Sequence, residues 1–170
     1  MSAAGLSSTA PAPVELDHVW SVVEAVWESL LGCWPTPAQP VDVRDDWVSA
    51  VITVDGDWPG AVALSCPRQT ALHMGRAMLD LTSDEPDPEP EDVDDAVREV
   101  VNVLGGNVKA LVPGSRALGL PALVAGAPVV DGDLVGELFV GWPGHVARLG
   151  LWHTGVAGQH LPIHQHTEQK

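Results

Sequence analysis

Apolar and polar positions alternate along the chain in two different periods. Between residues 14 and 32, Leu16, Val19, Val23, Val26, Trp27, Leu30 and Leu31 recur at three- and four-residue steps, the period of a helix with one buried stripe. Trp20 and Trp27, seven residues apart, fall on or beside that stripe. Gly32, Pro35 and Pro37 end the helix, and the Pro-rich residues 35–40 read as a linker into a sheet. Trp47–Val54 and Ala61–Cys66 read as strands joined by Asp55-Gly-Asp-Trp-Pro-Gly60, an antiparallel hairpin. Pro67 suits the first turn of a second helix running to about Leu81, with Ala71, Leu72, Met74, Met78 and Leu79 available for packing. Leu118–Val124 is extended, with Pro121 marking an edge or a bulge. Leu134–Val140 and Val146–Trp152 are two further strands around Gly141-Trp-Pro-Gly144. The order predicts one α+β domain over residues 14–153, an antiparallel sheet packed with long helices. Residues 1–13 are expected to form a flexible lead-in and residues 154–170 a flexible, polar, His-containing tail.

The third helical stretch, Asp92–Pro113, carries the most information. Val93, Val97, Val100, Leu104, Val108 and Leu111 fall within an arc of about 80° on a helical wheel. Glu99, Asn102 and Gly106 cluster within about 60°, nearly opposite that stripe. A carboxylate and a carboxamide should therefore point together away from the core, with a glycine one turn on that lets another molecule approach. Asn is a poor residue for a helix interior, and Gly105 and Gly106 each cost roughly 1 kcal/mol relative to Ala there. Either the helix continues through both glycines, as the stripe to Leu111 suggests, or Gly105 ends it as a C-terminal cap.

Composition narrows the function. The net charge is −15, from 23 acidic and 8 basic residues, which argues against a nucleic-acid or anionic-membrane partner. Ser83–Asp95 alone holds eight acids and three prolines. It is either a steering surface or a solvated loop whose last acids favour the N-terminus of the following helix. The absence of an apolar run near 18 residues, and of a basic start followed by an apolar block, points to the cytoplasm. Cys33 and Cys66 are expected to be reduced thiols, without the neighbouring His and acid that mark a nucleophile. His153, His160, His164 and His166 lie close together, and His164-Gln-His166 offers a metal-binding alternative, although a flexible tail lacks the held geometry that ligation needs. Gly-Gly-Asn107 is not a phosphate-cradling loop, since no Gly-Lys-Ser/Thr follows.

The segment Glu99-Val-Val-Asn-Val-Leu-Gly-Gly-Asn107 resembles the Glu-x-x-Asn-x-x-x-Gly-Asn signature of the CheX-type chemotaxis phosphatases, relatives of CheC and FliY. Gly56-Asp-Trp-Pro-Gly60-Ala-Val and Leu118-Gly-Leu-Pro121 support it, and one copy of the signature is similar to CheX rather than to the two-copy CheC. The resemblance spans about Leu16 to Trp152. It implies an enzyme that removes the phosphoryl group from the aspartate of a CheY-like response regulator. Asn102 would position the attacking water and Glu99 would pair with the active-site Lys of the receiver. Asp95, Gly106 and Lys109 are the further candidates for contact with the partner. The resemblance also implies no cofactor of the chain's own, Mg²⁺ being supplied by the receiver, and a homodimer formed through the sheet. The competing reading is a non-catalytic receiver-binding or flagellar-switch-like adaptor that uses the same helix face.

Overall fold

The computed structural model describes residues 14–155; the expected lead-in and most of the expected tail, including His160, His164 and His166, lie outside the described residues. Among the described residues, seven antiparallel strands, β1 (Thr36–Pro37), β2 (Trp47–Gly56), β3 (Gly60–Pro67), β4 (Ser115–Leu118), β5 (Ala122–Ala125), β6 (Asp133–Trp142) and β7 (His145–His153), form one sheet in the order β1-β6-β7-β3-β2-β4, with β5 also pairing to β2. The hairpin of β2 (Trp47–Gly56) and β3 (Gly60–Pro67) is its centre, in register from Trp47↔Pro67 to Val54↔Gly60. Successive side chains on a strand point to opposite faces. Ala50, Ile52, Val62 and Leu64 therefore enter the main core, while Ala61 and Ala63 join Trp152 in a small cluster on the other face. Beside that cluster the Ser49 and Ser65 hydroxyls are 2.7 Å apart, and Ser49 donates to the Gly126 carbonyl at 2.6 Å. Burial on both faces is why β3 shows no polar/apolar alternation.

β7 (His145–His153) pairs with β3, and β6 (Asp133–Trp142) pairs with β7. The expected linker 35–40 supplies an edge strand instead: β1 (Thr36–Pro37) pairs with β6 at Gly141 and Val140, and Pro is tolerated because it sits on an edge. The expected extended run 118–124 is split at Gly119–Pro121 into β4 (Ser115–Leu118) and β5 (Ala122–Ala125), which both pair with β2. Pro121 cannot donate a ladder hydrogen bond and marks the break.

Three helices cover one face of the sheet. α1 (Leu16–Val26) widens into a π-helical turn over Trp27–Leu31 and stops at Gly32, whose φ of 64° is left-handed. Trp27 is wholly buried, and Trp20 is half-buried with its indole N–H donating to Glu24 Oε1 at 3.0 Å. α2 (Arg68–Met78) begins one residue later than expected, with Pro67 as its cap. It packs tightly on α3 (Pro90–Leu111), since a Cβ on Gly75 would touch Val93 and Pro88 at 3.4 Å. Among the described residues no helix is long and apolar enough to cross a membrane.

α2 is tied to the β6–β7 turn by a stack of rings. His73 lies on His145 with centroids 4.1 Å apart, and His145 Nδ1 is 3.1 Å from Thr70 Oγ1. Trp142 beside them meets Trp27 edge-on at 5.4 Å. Burial lowers the pKa of both imidazoles, and for His145 the charge of His73 lowers it further. The unfolded chain therefore binds more protons than the folded one below the ordinary value near 6.5. The stability from neutral imidazoles is complete above that value and is lost as the pH falls through it. We predict a lower melting temperature at pH 5.5 than at pH 7.5, and a smaller difference in His145→Gln; equal differences in the two proteins would refute the assignment.

Candidate functional site

α3 begins where its sequence is suited to begin. Pro90 sits in the first turn with Glu91 and Asp92, and Lys109 sits in the last, so the charges complement the helix dipole. The acidic stretch is thus divided: Glu91, Asp92, Asp94 and Asp95 belong to the helix, and only the part before Pro90 is a loop. That loop closes on Arg76, which donates to Asp87 at 2.7 Å and to the carbonyls of Thr82 and Glu85. The Thr82 backbone N–H and hydroxyl hold the Glu85 carboxyl below its usual range.

The helix runs through both glycines to Leu111, so Gly105 is not its cap. A Cβ on Gly105 would lie 2.6 Å from Ile52 Cγ2, so this glycine lets α3 approach β2. A Cβ on Gly106 would meet nothing nearer than Leu118 Cδ2 at 3.9 Å. The fold requires the first glycine and not the second. The buried face holds Ala96, Val97, Val100, Val101, Leu104, Gly105 and Val108. It is wider than the six-residue stripe, and it omits the stripe's two ends: Val93 is half-buried and Leu111 is exposed. At 22 residues, α3 is about 33 Å long.

Opposite that face, Glu99 is exposed and Asn102 and Gly106 are half-buried. The Asn102 carboxamide has no hydrogen-bond partner among the described residues, whereas Asn107 Nδ2 donates to the Val103 carbonyl at 2.8 Å. Glu99 likewise has no ion-pair partner among them. Asp95, one turn before Glu99, pairs with Arg98 at 2.9 Å. Both side chains are open to water, so the pair is weak and available for exchange. Lys109 is half-buried, two turns beyond Asn102, and its carbonyl accepts from the Ser115 hydroxyl at 2.7 Å. The residues Asp95, Glu99, Asn102, Gly106 and Lys109 form one stripe about 20 Å long. Neither thiol adds a nucleophile: burial pushes Cys66 up to about 12 and raises Cys33 as well. His153, the one member of the expected histidine group among the described residues, lies against Trp58 at 4.9 Å.

Met78 packs against the core as expected, whereas Leu79, also expected to be available for packing, is exposed; both border this stripe. Helical period alone does not separate a buried position from one just past the helix end. The His73–His145 stack was also not foreseen, since nothing local links residues that far apart.

An antiparallel sheet packed with three helices is a fold that this chain shares with CheX and CheC-like proteins. The CheX of Vibrio vulnificus is similar, at 20% identity and a TM-score of 0.67 over 83% of this chain and 97% of that one. A CheX from Desulfovibrio desulfuricans is similar at 21% identity and 0.64, over 81% and 97%. So is the CheX of a CheX-CheY-BeF3-Mg²⁺ complex from Borrelia burgdorferi, at 16% and 0.60 over 83% and 98%. At these identities the likeness is one of fold. No curated protein matches. The family model for "Chemotaxis phosphatase CheX" matches residues 48–148, and the chain belongs to that family.

Proposed function

We propose that this protein hydrolyses the aspartyl phosphate of a CheY-like response regulator, with Asn102 positioning the attacking water and Glu99 pairing with the active-site Lys of the receiver. The observation that carries the reading is the Asn102 carboxamide, without a hydrogen-bond partner among the described residues, one turn from Glu99 on the outer face of α3. Phosphoryl transfer demands positioning and charge stabilisation more than covalent help. The receiver brings its own Mg²⁺ and Lys; the missing part is a water held in line with phosphorus. A carboxamide has a donor and an acceptor and orients water without being a strong base. Gly106 leaves room for the receiver backbone, Asp95 is free to exchange Arg98 for a cation of the partner, and Lys109 faces acidic groups of the receiver. The CheX-CheY complex among the similar structures supports this choice of partner, and a phosphatase of this kind acts in the cytoplasm.

The test is phosphate release from Mg²⁺-loaded, phosphorylated receivers of the same genome, with and without the protein. A shortened phosphate lifetime supports the reading. Binding with an unchanged lifetime identifies a non-catalytic adaptor instead. Glu99→Gln is expected to raise the half-saturating concentration about tenfold, in keeping with the loss of one charge pair at an interface. An unchanged value would remove Glu99 from docking. The same reading includes a homodimer. β1 and Ala38 after it reach β6 from Phe139 to Gly141, which leaves the outer edge of β6 before Phe139 for a second copy. Sedimentation at micromolar concentration distinguishes dimer from monomer.

A further inference from the structure

Glu99 has a second setting. It lines an open groove of about 380 Å³ between the end of α2 and the first half of α3, together with Met78, Leu79, Asp92, Asp95 and Ala96. One side is apolar. Leu79 is 48% exposed, at the point where α2 stops. It is not loose: its N–H donates to the Gly75 carbonyl at 3.1 Å, and the chain then reverses through Asp80 at φ 54°. Close packing of Gly75 on Val93 fixes α2 against α3 beneath it.

The other side is acidic. Asp92, Asp95 and Glu99 stand at successive turns of one helix face, about 10 Å from end to end. Arg98 offsets Asp95 in part. Arg76, in the last turn of α2, is already held by Asp87 and the loop carbonyls. The groove therefore joins an apolar side chain held toward water to a wall of negative charge.

We propose that this groove takes an apolar side chain of the receiver together with a flanking Lys or Arg, and so selects which receiver is presented to Asn102. The inference rests on the phosphatase reading of Glu99 and Asn102 and names the docking determinant of that same site. Two observations choose the occupant. Glu99 belongs both to the groove and to the stripe with Asn102, so a receiver docked on that stripe lies beside the groove. The carboxylates favour a basic segment and disfavour phosphate backbones and anionic lipid. Burying Leu79 against an apolar partner supplies affinity, and the carboxylates around it supply selectivity.

The experiment measures dephosphorylation rate against protein concentration for the wild type, Leu79→Ala, Asp92→Asn/Asp95→Asn and Asn102→Ala. The probe is whichever phosphorylated, Mg²⁺-loaded receiver the wild type accepts. Leu79→Ala and the double variant are expected to raise the half-saturating concentration about tenfold, with the effect on the maximal rate within about twofold. Added salt should raise that concentration more in the wild type than in the double variant. Thermal melts control for folding. If both groove variants keep the wild-type half-saturating concentration while Asn102→Ala abolishes acceleration, the groove proposal is overturned and the phosphatase reading stands. If the wild type binds receivers without accelerating hydrolysis, the phosphatase reading fails, and the same shift read in binding decides the groove. If it neither binds nor accelerates, both fall.

Discussion

Asn102→Ala is expected to lower the protein-stimulated rate of phosphate release by about 10²–10³-fold, toward the rate of the receiver alone, as the loss of one preorganised polar group does elsewhere. Its effect on the half-saturating concentration should be small, because Glu99 and the rest of the stripe remain. Asn102→Gln keeps the amide but moves it by one methylene, and a displacement near 1 Å costs about 10²-fold when geometry is the contribution. The fold should respond in the opposite sense. Asn102 is half-buried on the outer face of α3 with no hydrogen-bond partner among the described residues, and Ala is the better helix former by a few tenths of a kcal/mol, ~0.5. Lower activity with an equal or higher melting temperature is the signature of a residue kept for function. A variant that retains the wild-type rate would remove the water-positioning role, and one that loses activity by unfolding would assign Asn102 to stability.

The two adjacent glycines should respond in opposite directions to the same change. Gly105→Ala places a methyl 2.6 Å from Ile52 Cγ2. Ile52 is fully buried and has little room to move. Overpacking of that kind costs about 1–3 kcal/mol, against up to about 1 kcal/mol gained from helix propensity. Gly105→Val should be worse, since its branched side chain adds volume where one carbon already fails to fit. Gly106→Ala meets only ordinary contact at 3.9 Å, so it should stabilise the protein by up to about 1 kcal/mol. On the proposed docking face that methyl would meet the partner, and the half-saturating concentration for the receiver should then rise. Chemical denaturation of both variants tests the pair. Equal changes in stability would contradict the packing of α3 on β2, and an unchanged receiver affinity in Gly106→Ala would remove Gly106 from the docking face.

The sequence by itself determined the helices, the strands β2, β3, β6 and β7, and the outward pairing of Glu99 with Asn102. Each rests on spacing along one element: a period near 3.6 or 2 is a property of neighbouring residues, and a helical wheel turns it into a face. The Glu-x-x-Asn segment was legible for the same reason, as both residues sit one turn apart on α3. Other features depend on residues far apart in the chain, and only the tertiary structure decided them. The stripe to Leu111 favours a helix running through Gly105 over a cap there, but the reason for a glycine is seen only once Ile52 lies beneath it. Leu79 and Leu111 satisfy the helical period yet stay in water, because burial depends on how far the neighbouring layer extends. The linker 35–40 became an edge strand because β6 offered it an unpaired backbone, which nothing in those residues announces. The groove at Met78 and Leu79 and the stack of His73 on His145 exist because α2 lies against α3 on one side and reaches the β6–β7 turn on the other. Local spacing sets which side chains share a face; only the packing of one element on another decides whether that face meets core, water or partner.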